Sequence, residues 1–219
     1  MRITGGELGG RRLEVSATIR PTQDMVRQAI YSALAARVPG ARVLDLFAGS
    51  GSLGLEAWSR GAGAVCWVEG DGRTLALLKK NVELLTGPLG RDRIPSAGSV
   101  RYPGASDGTS QGADAVPSET RVIVRSDALA FLGRAGAGRG PWDVILADPP
   151  YDKDGRARWL EKTLSALSAE PMLAPDGILV FEQGADEPVV EFPGWSCFWT
   201  RSYGGTRVGM WREERNKGT

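Results

Sequence analysis

Five short apolar runs punctuate the chain: Arg42–Phe47, Ala64–Val68, Arg121–Val124, Val144–Ala147 and Ile178–Phe181. Each is too short for a helix and apolar at consecutive positions, the pattern of a strand covered on both faces. Between them, apolar residues recur at helical spacing. Val26, Ala29, Ile30, Ala33 and Leu34 form one stripe, and Leu75, Leu78, Val82 and Leu85 form another. Leu53–Arg60, Ala128–Leu132 and Ala157–Ser168 predict three further helices. This alternation of strand and helix predicts an α/β fold with a parallel sheet. Trp195–Thr200 and Val208–Trp211 flank Gly204-Gly205 and predict a C-terminal antiparallel hairpin. Its aromatic residues, Trp195, Phe198, Trp199, Tyr203 and Trp211, are expected mostly in the core.

Residues 2–15 read as two short strands around Gly5-Gly6 and Gly9-Gly10. A lone two-stranded ribbon is marginal, so this one must lean on the main domain or on a partner. Thr22 is the expected N-cap of the next helix, with Asp24 in its first turn. Arg27 falls off the apolar stripe and is expected to be free for solvent or a ligand. Residues 86–119 are dominated by Gly, Ser, Pro and Ala without periodicity, which predicts a surface insertion lacking fixed structure. The organisation expected is an N-terminal hairpin and helix over 1–38, a main domain over 39–212 and a disordered tail over 213–219.

Composition narrows the chemistry. At 219 residues and 42% hydrophobic, the chain is suited to one domain with a packed core. The N-terminus lacks the apolar core of a signal peptide, and no apolar run reaches bilayer length, so a soluble cytoplasmic protein is expected. The sequence contains no histidine, which removes imidazole bases and most transition-metal sites. Cys66 is expected as a buried core thiol. Cys197 lies in a strand-like run, and neither has metal-ligand spacing, so no metal is expected. The net charge of +1 conceals an uneven distribution: +3 over residues 1–37, +3 over residues 197–219 and −5 between them. Basic ends on an acidic body point to a polyanion-binding surface.

Two motifs carry the chemistry. The first strand runs into Ala48-Gly49-Ser50-Gly51-Ser52-Leu53-Gly54, where Gly49, Gly51 and Gly54 spell Gly-x-Gly-x-x-Gly. A glycine turn between strand and helix lets a ligand approach the backbone, although the pattern also occurs in turns that bind nothing. The fourth strand ends in Asp148-Pro149-Pro150-Tyr151. Consecutive prolines cannot continue a strand ladder, so Asp148 is held in a stiff corner at a strand's carboxyl end, where open α/β sheets bind ligands. A carboxylate, backbone carbonyls and an aromatic face together suit a planar ring bearing an amino group. Asp45, Glu69, Asp127 and Asp148 fall at the carboxyl ends of successive strands. Four acids favour a ligand with hydroxyls, an amino group and positive charge over an anionic one. Glu69 is suited to ribose hydroxyls, with Asp71 as a competitor.

These residues resemble a class I S-adenosylmethionine-dependent amino-methyltransferase. With Arg20-Pro21-Thr22 and Tyr203-Gly204 added, the chain resembles the bacterial RsmD family, which modifies guanine N2 in small-subunit ribosomal RNA. The resemblance covers nearly all of the chain outside 86–119. It implies a Rossmann-like fold with a seven-stranded, mostly parallel sheet, a C-terminal antiparallel hairpin and a small N-terminal hairpin and helix. It implies S-adenosyl-L-methionine as cofactor, with Phe47, Ala48, Gly49, Ser50 and Gly51 along its methionine portion and Asp45 nearby. Glu69 would hold the ribose, and Asp127 with Ala128 the adenine. Asp148, Pro149, Pro150 and Tyr151 would form the catalytic corner. Arg2, Arg11, Arg12, Arg20, Thr22, Arg27, Arg201 and Tyr203 are the expected RNA contacts. The expected partner is ribosomal RNA within a small-subunit particle, met by a monomer. The proline corner alone does not separate guanine from an adenine N6 acceptor in DNA or RNA.

Overall fold

The computed structural model describes residues 1–15, 24–87, 120–133, 140–152, 154–188 and 190–214. Arg20, Thr22, most of the expected insertion and residues 215–219 of the expected tail lie outside the described residues, while Glu213 belongs to the last strand.

The described elements alternate as expected. Helix α1 (Asp24–Ala33) precedes β1 (Arg42–Leu46), α2 (Ser52–Ser59), β2 (Ala64–Glu69) and α3 (Gly72–Thr86). After these come β3 (Arg121–Arg125), α4 (Ala128–Leu132), β4 (Trp142–Ala147) and α5 (Trp159–Ala169). The chain then forms β5 (Leu173–Gly184), β6 (Trp195–Tyr203) and β7 (Thr206–Glu213). The seven strands join in the order β3-β2-β1-β4-β5-β7-β6. Pairing is parallel from β3 to β5 and antiparallel where β7 meets β5 and β6. This is the Rossmann-like, seven-stranded, mostly parallel sheet with a C-terminal antiparallel hairpin that the resemblance implies.

Burial explains the unbroken apolar runs. Every residue of β1 is buried, because helices cover both sheet faces. One core joins Val43, Val65 and Leu146 to α1, α2 and α3; the other joins Leu44, Cys66 and Ile145 to α4 and α5. Each fully buried Val or Leu contributes about 1.5–3 kcal/mol relative to exposure. Gly54 sets how closely α2 packs on β2, since a Cβ there would lie 2.2 Å from the Trp67 indole nitrogen.

β5 is longer than its apolar run. Its pairing with β4 shifts register between Trp142 and Val144, which stand opposite Leu173 and Ile178, so residues 174–177 bulge from the ladder. A second shift lies between Cys197 and Trp199 on β6. It turns Phe198 outward, 45% exposed, against the expectation that it would join the core.

The N-terminal ribbon is a loop closed by a bridge between Arg2 and Arg12, and it leans on the main domain. Ile3 and Leu13 enter the same core as α1 and β1. The Thr4 amide donates to Glu56 Oε1 at 2.5 Å, and the Leu8 amide donates to Ser59 Oγ at 2.9 Å. Arg27 corrects the sequence reading: it is fully buried rather than free. Its guanidinium pairs with Glu56 at 3.4 Å and Asp24 at 2.6 Å, and donates to the Arg2 carbonyl at 2.6 Å. The ribbon closes over a position that helical spacing alone assigns to solvent. Arg60 also pairs with Glu56. Arg27→Ala would leave part of a buried carboxylate uncompensated, and its expected cost is about 3 kcal/mol of stability, measured by urea unfolding.

Candidate active site

The turn after β1 is built from strained and glycine backbone. Phe47 has φ 56°, a left-handed conformation that a bulky residue rarely adopts. Its ring packs edge-on against Trp159 of α5, with centroids 5.3 Å apart. The Ala48 amide then donates to the Val68 carbonyl at 3.0 Å, and the Gly51 amide to the Ala48 carbonyl at 2.7 Å. Gly51, at φ 83°, supplies the backbone that this tight turn requires. A Cβ on Gly51 would lie 2.5 Å from Leu78.

Acids organise the turn, each differently. Asp45 is buried at 1% exposure, and its Oδ2 accepts from the Gly54 amide at 2.8 Å. It therefore ties β1 to the N-terminus of α2 from inside the turn rather than standing on the open edge. Burial holds its pKa well above the ordinary aspartate value of 3.8; the Gly54 bond opposes this, and the Asp148 and Glu69 charges add to it. Glu69 is half-buried. Its two oxygens accept from the Gly49 amide at 2.9 Å and the Asp71 amide at 2.8 Å. Asp71 is committed elsewhere: its Oδ1 caps α3 by accepting from Arg73 at 3.1 Å and Thr74 at 2.8 Å. Those bonds, led by that from Thr74, lower its pKa. Glu69, not its competitor, faces back to the glycine turn. Asp127 is exposed and caps α4, accepting from the Ala130 amide at 2.9 Å. Ser126 donates to the Glu69 carbonyl at 3.2 Å, so the Glu69 and Asp127 backbones leave the sheet together.

The proline corner stands beside this turn. Leu46 of β1 pairs with Ala147 of β4, so Phe47 and Asp148 are the next residues of two neighbouring strands. Asp148 and Tyr151 are half-buried, Pro149 is buried and Pro150 is exposed. The Tyr151 hydroxyl shares a hydrogen bond with Thr206 and donates to Glu182 Oε1 at 3.4 Å. Glu187 staples the loop to β5, its Oε1 accepting from the Asp152 amide at 3.0 Å and the Gly184 amide at 2.9 Å. The Ala185 amide donates to Gly205 at 3.0 Å, which brings the β6–β7 tip to the same edge.

The remaining expected contacts are dispersed. Arg2, Arg11 and Arg12 are exposed on the N-terminal ribbon; Arg27 is withdrawn from solvent. Arg201 is exposed over the Trp199 ring at 5.5 Å, and Tyr203 is half-buried beside the tip. A groove of about 500 Å³, lined by Leu160, Gln183, Thr200, Arg201, Arg207 and Trp211, lies against β5, β6 and β7 and includes no residue of the turn or the corner. The contributions of Trp159, Thr206 and Glu187 were not read from the sequence. Glu187 sits in a polar turn that carries no local signal.

Asp45→Asn keeps an acceptor for Gly54 and removes a buried charge. Because the folded pKa is raised, the carboxylate penalty is absent below 3.8, grows as pH rises from 3.8 toward the folded value, and is complete above it. The variant is expected to melt above the wild type at pH 8. That gain should vanish as pH falls through this window, as followed by thermal unfolding across pH.

Comparison with known proteins places this geometry in a family. The family described as conserved hypothetical protein 95 matches residues 1–96 and 110–212. Ribosomal RNA small subunit methyltransferase D of Escherichia coli strain K12 is 32% identical over 199 residues, covering 90% of this chain and 81% of that protein. Its Haemophilus influenzae namesake is 28% identical over 206 residues, covering 93% and 89%. The solved structure of the Escherichia coli protein yhhF, described as a methyltransferase, superposes with a TM-score of 0.71 at 29% identity, covering 98% and 99%. The chain therefore belongs to the conserved hypothetical protein 95 family, the RsmD-type methyltransferases.

Proposed function

We propose that this protein transfers a methyl group from S-adenosyl-L-methionine to the exocyclic N2 of a guanine in small-subunit ribosomal RNA. The observation that carries this reading is the pairing of Leu46 with Ala147, which sets an acceptor-rich corner beside a glycine turn. That its Escherichia coli and Haemophilus influenzae relatives are ribosomal RNA small subunit methyltransferases supports RNA over DNA as the substrate.

The donor set fits the cofactor. Glu69 uses each carboxylate oxygen once, on the Gly49 and Asp71 amides, and retains acceptor capacity for ribose hydroxyls. Asp127, exposed at the neighbouring strand end beside Ala128, suits an adenine amino group. The Ala48–Gly51 backbone would lie along the methionine portion, and nearby acids suit its positive charge. When bound, the cofactor supplies a methyl group already activated on sulfur.

The protein's task is then positioning. A guanine amino nitrogen is a poor nucleophile, because its lone pair is delocalised into the ring. Asp148 and the Pro149 carbonyl would accept its two N–H hydrogens and turn the lone pair toward the crevice. Pro149 and Pro150 keep that corner stiff. Tyr151, anchored through its hydroxyl, would offer its ring face to the base, a stack contributing about 1–3 kcal/mol. Methylation makes the nitrogen acidic, so Asp148 or water suffices to take the proton. This suits a chain without histidine. The target guanine must leave its stack to reach the corner.

Asp148→Ala is expected to abolish methyl transfer while leaving cofactor affinity, measured by calorimetry, within about twofold of wild type; near-normal turnover would remove Asp148 from the mechanism. The exposed arginines of the ribbon would meet the RNA backbone. Replacing Arg2, Arg11 and Arg12 together with alanine should weaken RNA binding and lower the log–log salt slope by about 2. An unchanged slope in filter binding across salt concentrations would assign these arginines to solvent.

A further inference from the structure

Asn81 lies on the buried face of α3, fully enclosed, among Leu78, Val82 and Leu85. An amide on an apolar stripe needs polar partners, and it has three. Its Oδ1 accepts from the Glu14 amide at 3.0 Å. Its Nδ2 donates to the Glu14 carbonyl at 2.9 Å and to the Ser50 carbonyl at 2.9 Å. Two carbonyls demand the NH2 group and one N–H demands the oxygen, so the amide has one satisfying orientation.

These partners belong to opposite sides of the proposed reaction. Ser50 is the middle of the glycine turn after β1. Glu14 ends the N-terminal ribbon that carries Arg2, Arg11 and Arg12. Lys80, one residue before Asn81, also holds the Glu14 side chain at 2.7 Å, but on the exposed surface. Such an exposed pair contributes little, so the buried amide is the stronger tie.

We infer that Asn81 is a positioning residue that joins the cofactor turn to the RNA-binding ribbon, so that cofactor and RNA each raise the other's affinity. The inference rests on the methyltransferase reading above. Cofactor seated against the turn fixes the Ser50 carbonyl, and through Asn81 it fixes the Glu14 backbone. RNA held on the ribbon acts in reverse, and linkage requires the two effects to be equal.

Asn81→Asp tests this with little change of shape. It retains an acceptor for the Glu14 amide and turns an oxygen toward two carbonyls. In calorimetry the variant is expected to bind S-adenosyl-L-methionine about tenfold more weakly than wild type. In wild type, S-adenosyl-L-homocysteine should tighten binding of a small-subunit ribosomal RNA transcript, and in the variant this enhancement should fall to near one. A general loss of packing would lower the melting temperature without removing the enhancement. A folded variant with wild-type cofactor affinity or undiminished enhancement overturns the inference. A second measurement needs no variant: hydrogen exchange at the Glu14 amide of wild type should slow when S-adenosyl-L-methionine is added. Unchanged exchange under saturating cofactor also overturns it. Absence of cofactor binding by wild type would instead refute the methyltransferase reading itself.

Discussion

Backbone hydrogen bonds between β1 and β4 hold Leu46 opposite Ala147, so two chains leave the sheet side by side and in the same direction. One turns at once into a glycine-lined bend, and the other stops against two prolines. Neither departure makes a site alone. Together they set glycine-turn backbone beside an acceptor-bearing corner at the carboxyl edge, where parallel sheets take ligands. The α2 and α5 helices both brace the glycine turn, through Asp45, which accepts from the Gly54 amide, and through Phe47, which packs against Trp159.

The electrostatics follow from this crowding. Asp45, Glu69 and Asp148 come near enough for the last two to raise the pKa of the first, with burial as the larger cause. A cluster of acids with few internal cations disfavours phosphate and favours a cationic ligand. The division of labour is clear from the hydrogen bonds: Asp45 and Asp71 are spent on helix N-termini, Glu69 joins the two turns, and Asp148 stands at the corner. The excess of basic over acidic residues falls at the two ends of the chain, over residues 1–37 and 197–219.

The order of elements was legible because strands buried on both faces leave unbroken apolar runs, and because capping residues and glycines mark the turns between them. Interactions between distant segments were not legible. Arg27 reads as a surface residue by helical spacing, yet the ribbon folds over it and Glu56 meets it from another helix. Phe198 reads as core, yet a one-residue register shift on β6 turns it outward. The carboxyl-end acids were found by their place after each apolar run, although Asp45 proved to be interior. Asn81 left a trace that went unread: a polar residue between Leu78 and Val82 on an otherwise apolar face.

We propose that turn and corner are the donor and acceptor halves of one site. The most direct test is the identity of the product. The protein is incubated with isotopically labelled S-adenosyl-L-methionine and small-subunit ribosomal RNA, and the digested nucleosides are resolved by mass spectrometry. Label is expected in N2-methylguanosine. Label in N6-methyladenosine, or none in the RNA, would contradict the proposal.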